Sequence, residues 1–156
     1  MDIPIIPPPE STEELPRVLQ SSNVILDAIF GFSFKPPVRV PFDDALKLIS
    51  ASGLPIVSVD IPSGWDVERG NAEGVGLNPD VLVSLTAPKE GAKYFTGRHF
   101  LGGRFVPKYV LMRSIAGMTC VPHHMIVRAM QEKFKLNLPD YPGFDQIVEL
   151  SRNPEM

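Results

Sequence analysis

PIVSVDIPSG, Pro55–Gly64, carries the strongest fold signal in the chain. Pro55–Ile61 is rich in β-branched apolar residues. Pro62, Ser63 and Gly64 then force a turn. A short apolar run bounded in this way reads as a buried strand. Asn23–Phe30 (NVILDAIF) and Asp80–Leu85 (DVLVSL) read the same way on either side of it. Between the first two runs, Pro41–Ser52 (PFDDALKLISAS) predicts a helix. Pro41 sits at its start, Asp43 and Asp44 favour the positive end of its dipole, and Gly53 stops it. Phe42, Ala45, Leu46 and Ile49 share one face at helical spacing. Strand, helix, strand, loop, strand specifies an α/β domain with a mainly parallel sheet and right-handed crossovers.

Tyr94–Val106 predicts one or two further strands, and Met125–Phe134 a helix. Residues 1–22 read as a proline-stiffened linker with a short helix ending near Gln20. The 156 residues suffice for one domain with a real core. Hydrophobic residues make up 44% and charged residues 21%, which excludes wholesale disorder. The 17 prolines are about twice the average share. They cut the chain into short elements and exclude coiled coils. No apolar run is long enough to span a membrane. A formal charge of −3, from 15 basic and 18 acidic residues, argues against a nucleic-acid partner. The single Cys120 excludes an internal disulfide framework and a cysteine-based zinc site. The acidic, proline-rich start has no signal- or transit-peptide pattern, so a cytoplasmic location is expected.

In open α/β sheets, ligands bind beyond the carboxyl ends of the strands. That rule selects three places: Asp27 with the loop Gly31–Pro37, Asp60 with Pro62–Gly64, and Thr86–Pro88. Asp60 can serve as a general base, accept hydroxyl protons or ligate a cation. It can equally form an Asx-turn with its own backbone. Asp27 lies inside an apolar strand, where a carboxylate needs a partner or a metal. Oxygen ligands alone would select a hard cation. Lys35, in a Gly- and Ser-containing loop, can meet a phosphate or simply be solvated, and Pro36 and Pro37 offer no N–H groups. Neither a dinucleotide-binding Gly-x-Gly-x-x-Gly nor a Walker A motif is present. His123 and His124 read as incidental, and Trp65 as packing.

Six stretches then become specific. They are DAIFGFSFK (Asp27–Lys35), VRVPF (Val38–Phe42), VDIPSGWDVERGN (Val59–Asn71), PDVLVSLTAPK (Pro79–Lys89), FTGRHFLGGRFVP (Phe95–Pro107) and KFKLNLPDYPG (Lys133–Gly143). In this order they closely resemble the NAD(P)H-hydrate epimerases, the YjeF N-terminal-domain family. The resemblance implies a Rossmann-like three-layer sandwich and an isomerase. Such an enzyme interconverts the R and S hydrates of NADH and NADPH (NADHX and NADPHX) for cofactor repair.

The same resemblance implies a bound potassium ion, with Asp27 and Ser63 as side-chain ligands. It implies substrate binding by Gly31, Phe32, Ser33, Phe34, Lys35, Pro36, Pro37 and Asp60. Asp60 and Lys35 are the expected catalytic pair. The implied partners are the dinucleotide substrate and a dehydratase acting on the S epimer. The resemblance also allows a homodimer, association with apolipoprotein A-I and, for full-length members, a mitochondrial location. A non-catalytic binding module is the alternative. Three departures from the family are expected to matter. The first βαβ unit, with its Asn-Asn-Gly-Gly-Asp phosphate loop, is absent, so the sheet is expected to be incomplete. Pro36–Pro37 stand where many members carry glycine. An atypical insert occupies about 108–128.

Overall fold

A computed structural model of the chain describes residues 3–6, 10–103, 131–132, 135, 137–141 and 145–150. Among the described residues five strands form one sheet in chain order: β1 (Ile25–Asp27), β2 (Ile56–Val59), β3 (Val81–Leu85), β4 (Arg98–Gly102) and β5 (Ile147–Glu149). The first four run parallel and β5 returns antiparallel to β4. Helix α1 spans Glu10–Gln20, α2 spans Phe42–Ala51, and a 3₁₀ turn spans Glu90–Tyr94. The fold is thus α/β with a mostly parallel sheet, as the spacing of apolar runs predicts.

Strand ends differ from the sequence reading because ladder pairing, not apolar character, sets them. Asn23–Phe30 contributes only Ile25–Asp27, since the chain turns away from the sheet after Asp27. Tyr94 closes the 3₁₀ turn, and of the described part of the expected Tyr94–Val106 run, residues 94–103, Arg98–Gly102 forms a strand. β5 lies where no element was expected. It is held to β4 by its ladder and by Arg98, whose Nε and Nη2 donate to Glu149 at 3.0 and 3.2 Å. Residues 104–130, which include the expected insert and most of the Met125–Phe134 helix, lie outside the described residues.

The core follows from strand alternation. One sheet face carries Ile25, Asp27, Ile56, Ser58, Leu82 and Ser84 in register. Helix α2 covers it with Leu46 and Ile49, which join Ile56 and Leu77 in one buried cluster. Trp65 closes one end: its indole N–H donates to the Leu77 carbonyl at 2.7 Å, and its ring meets Phe95 edge-on. The loop after β2 packs without side-chain thickness. Gly64, at φ +90°, lies so close to Gly76 that a Cβ would stand 2.6 Å from the Gly76 Cα. Gly53, at φ +69°, has open space instead.

Between β3 and β4, His99 Nε2 and the buried Ser84 hydroxyl are 2.8 Å apart. Burial pushes the His99 imidazolium below its ordinary value of 6.5.

Two stability measurements check this packing. G64A combines left-handed strain with a backbone collision and should cost about 3 kcal/mol, whereas G53A should cost only about 1. Equal losses in urea melts would contradict the close approach. For His99 the native state resists protonation, so the unfolded chain binds more protons below pH 6.5. Stability should be full above that value and fall as the pH drops below it, by at most about 1.4 kcal/mol per pH unit. H99Q should flatten this slope; an unchanged slope would refute the assignment.

Candidate active site

Parallel pairing brings the carboxyl ends of β1, β2 and β3 side by side, and the site grows from them. Asp27 ends β1 and is 1% exposed. Its carboxylate accepts four hydrogen bonds. Oδ1 takes the Ser63 hydroxyl at 2.5 Å and the Ile29 N–H at 3.4 Å, and Oδ2 takes the Ser58 hydroxyl at 2.7 Å and the Ser63 N–H at 2.9 Å. The Ser63 oxygen in turn accepts the Phe30 N–H at 3.1 Å. Asp27 therefore ties its own strand to β2, to the Pro62–Gly64 turn and to the start of the Gly31–Pro37 loop. All four donors are neutral, and among the described residues no cation pairs with this buried charge.

Asp60 follows β2 directly, at φ 74°, and its N–H bonds the Val83 carbonyl at 2.8 Å. Aspartate tolerates this left-handed backbone better than most residues. The turn aims its carboxylate over the strand ends, where Oδ2 accepts the Phe32 N–H at 2.9 Å and Oδ1 pairs with the Lys89 ammonium. The Asp60 side chain is 14% exposed and that of Lys89 19%. Gly31 comes close enough that a Cβ there would lie 3.1 Å from Oδ2.

Thr86, just past β3, is also left-handed at φ 66°, an unusual conformation for a β-branched residue. Its N–H bonds Gly102, and the turn leaves the Leu85 and Ala87 carbonyls at 3.1 and 3.3 Å from Lys89 Nζ.

The expected site residues therefore cluster unevenly. Asp27 and Ser63 share one hydrogen-bond network, while Asp60 belongs to a neighbouring one with Phe32 and Lys89 and meets the first through the loop backbone. In the loop, Phe34 is half-buried and stacks on Phe30 at 4.4 Å, and Phe30 meets Phe42 edge-on. Pro36 is half-buried, whereas Phe32, Ser33, Lys35 and Pro37 are exposed. Phe32 is 73% exposed directly beside Asp60. The amine on Asp60 is Lys89, one position beyond the Thr86–Pro88 stretch that the strand-end rule selects. Its only signal was a lysine one position after a strand-end proline. His123, His124 and Cys120 lie outside the described residues. Among the described residues no cluster of three or more acidic, histidine or cysteine side chains suits a metal ion. No described helix is long and apolar enough to cross a membrane.

This geometry can be set against known proteins. A family model, the YjeF-related protein N-terminus, matches residues 4–91. A protein from Puccinia graminis named NAD(P)H-hydrate epimerase is 49% identical over 83% of this chain and 46% of its own length. Proteins of the same name from Cryptococcus neoformans and Caenorhabditis briggsae are 45% and 46% identical, over 98% and 87% of this chain and 58% and 51% of their own. A crystal structure of a yeast protein, ynu0 (YNL200c), superposes with a TM-score of 0.68 at 36% identity, covering 87% of this chain and 51% of the yeast one. The chain spans about half the length of the curated relatives it matches.

The Asp27 network gives a stability test. Each Asp27 oxygen faces a backbone N–H, from Ile29 or Ser63. D27N must therefore oppose an amide NH₂ to one of them, whichever way it turns. It should cost about 3 kcal/mol or more, and S58A, which removes one charge-assisted bond, about 1.5 to 3. Thermal or urea melts read both, and a D27N chain as stable as the parent would contradict the network.

Proposed function

Because the chain belongs to the family of the YjeF-related protein N-terminus, we propose that its strand-end site acts on hydrated nicotinamide dinucleotides. The activity is that of an NAD(P)H-hydrate epimerase, interconverting the R and S hydrates of NADH and NADPH. The observation that carries this reading is Asp60: a largely buried carboxylate beyond a parallel strand, fixed by a backbone N–H and a lysine. Epimerisation at a ring carbon bearing a hydroxyl requires protons to be taken and returned around that carbon. Asp60 is the acid–base group for this. Each of its oxygens spends one acceptor position on the protein, which leaves further lone pairs for a substrate hydroxyl.

The Gly31–Pro37 loop forms the substrate wall beside it, with Lys35 free to meet a phosphate as a point charge or to assist proton transfer. Close approach of Gly31 to Asp60 keeps the loop backbone against the carboxylate. A dehydratase specific for the S hydrate would consume the product.

The Asp27–Ser63 pair fits a potassium ion on two counts. Its candidate ligand atoms are oxygen, and among the described residues its buried charge is met by neutral groups alone, of which the Ser58 and Ser63 hydroxyls would turn their protons away to admit the ion. Asp27 and Ser63 would hold the ion, which supplies a compensating positive charge beside the substrate loop when bound.

The test uses chemically prepared R hydrate of NADH together with an S-specific dehydratase, following recovery of NADH. The chain should accelerate consumption of the R hydrate, and D60N should lower that rate about 10²- to 10⁴-fold. D60N working at the parent rate would sink the role of Asp60. A chain that melts cooperatively but gives no acceleration would leave the binding-module alternative.

A further inference from the structure

Lys89 is the most constrained cation among the described residues, and its surroundings assign it a task. Its ammonium has three protons to donate. Three protein acceptors face it: Asp60 Oδ1, the Leu85 carbonyl at 3.1 Å and the Ala87 carbonyl at 3.3 Å. The socket is built from strain. Thr86 takes a left-handed φ of 66°, and the Ala87 N–H folds back onto the Leu85 carbonyl at 2.7 Å. A β-branched residue persists in that conformation only where its surroundings hold it. Here the turn points two carbonyls at one lysine.

The geometry points to Lys89 as a positioning residue for Asp60, acting on the reaction proposed above and resting on that reading. With its protons directed at protein acceptors, Lys89 is a fixed point charge and has none aimed at a substrate. Asp60 is then held from two sides, by Lys89 on Oδ1 and by the Phe32 N–H on Oδ2. Such bracketing fixes the plane of the carboxylate, so the remaining lone pairs keep one direction. Lys35 has no such role: it is exposed. The strand-end turn after β3 thereby sets the aim of a group that follows β2.

The experiment compares the parent chain with K89M and K89R by two readouts. The first is the steady-state rate on the R hydrate with an S-specific dehydratase. K89M should lower kcat about 10- to 100-fold, the usual consequence of a misaimed group, with KM within about threefold. K89R, which restores a cation with reach to Asp60, should recover most of the loss. The second readout is amide hydrogen exchange at Phe32, whose N–H is protected by Asp60 Oδ2. It should quicken in K89M while Gly70, whose N–H bonds Asp66 at 2.9 Å in a separate hairpin, does not change.

If the parent chain proves inactive, the functional reading fails and the Phe32 exchange alone decides whether Lys89 positions Asp60. Unchanged kcat with unchanged Phe32 exchange overturns the proposal. So does equal quickening at Phe32 and Gly70, which would make Lys89 a general support of the fold. Should K89M not melt cooperatively, K89Q takes its place with the same expectations.

Discussion

The carboxylate of Asp27 is the constraint on which the site depends. A charge with 1% exposure survives only where its acceptor positions are filled. The fillers are distributed so that satisfying the charge also sets the architecture. Ser58 comes from β2, Ser63 from the turn beyond it, and Ile29 from the chain leaving β1. Ser63 then passes the constraint on by accepting the Phe30 N–H. The loop after β1 is thereby pinned at Phe30 by Ser63 and at Phe32 by Asp60. Two aspartates at adjacent strand ends divide the work, one holding the chain just before the loop and the other the loop's second residue.

Backbone conformation supplies what side-chain packing does not. Asp60 and Thr86 are both left-handed immediately after their strands. Each turns the chain sharply enough that a strand-end group faces back over the sheet edge. The contact of Gly64 with Gly76 then holds the intervening loop against α2, since Leu46 also lies against that point. Precision at Asp60 thus rests on residues whose contribution is their backbone path.

Much of this was legible in the sequence. Short β-branched runs bounded by Pro and Gly placed β1, β2 and β3, and the acidic first turn with Leu46 and Ile49 placed α2. Asp27, Asp60 and Ser63 stood out because a polar residue at the end of an apolar run must be explained. Lys89 was not legible. Its reach back to Asp60 depends on a left-handed Thr86, and threonine is a residue that sequence rules place elsewhere. β5 was hidden for a different reason. It is three residues long with its middle residue half-buried between exposed neighbours, and its strand character comes from pairing with β4.

The order of the strands has a kinetic side. From β1 to β4, every strand pairs with the one before it, and the connecting chain shortens at each step, from Ile25–Ile56 to Val57–Val81 to Val81–Arg98. The pairing of Leu101 with Val148 reverses that trend, because it closes the longest loop of the sheet. Loop closure costs more entropy as the loop grows, and three residues of ladder return little against it. On loop-closure entropy alone, β5 is expected to dock last and leave first. Whenever it leaves, the outer backbone of β4 is uncovered while the opposite end of the sheet, where Asp27 and Asp60 sit, keeps its pairing.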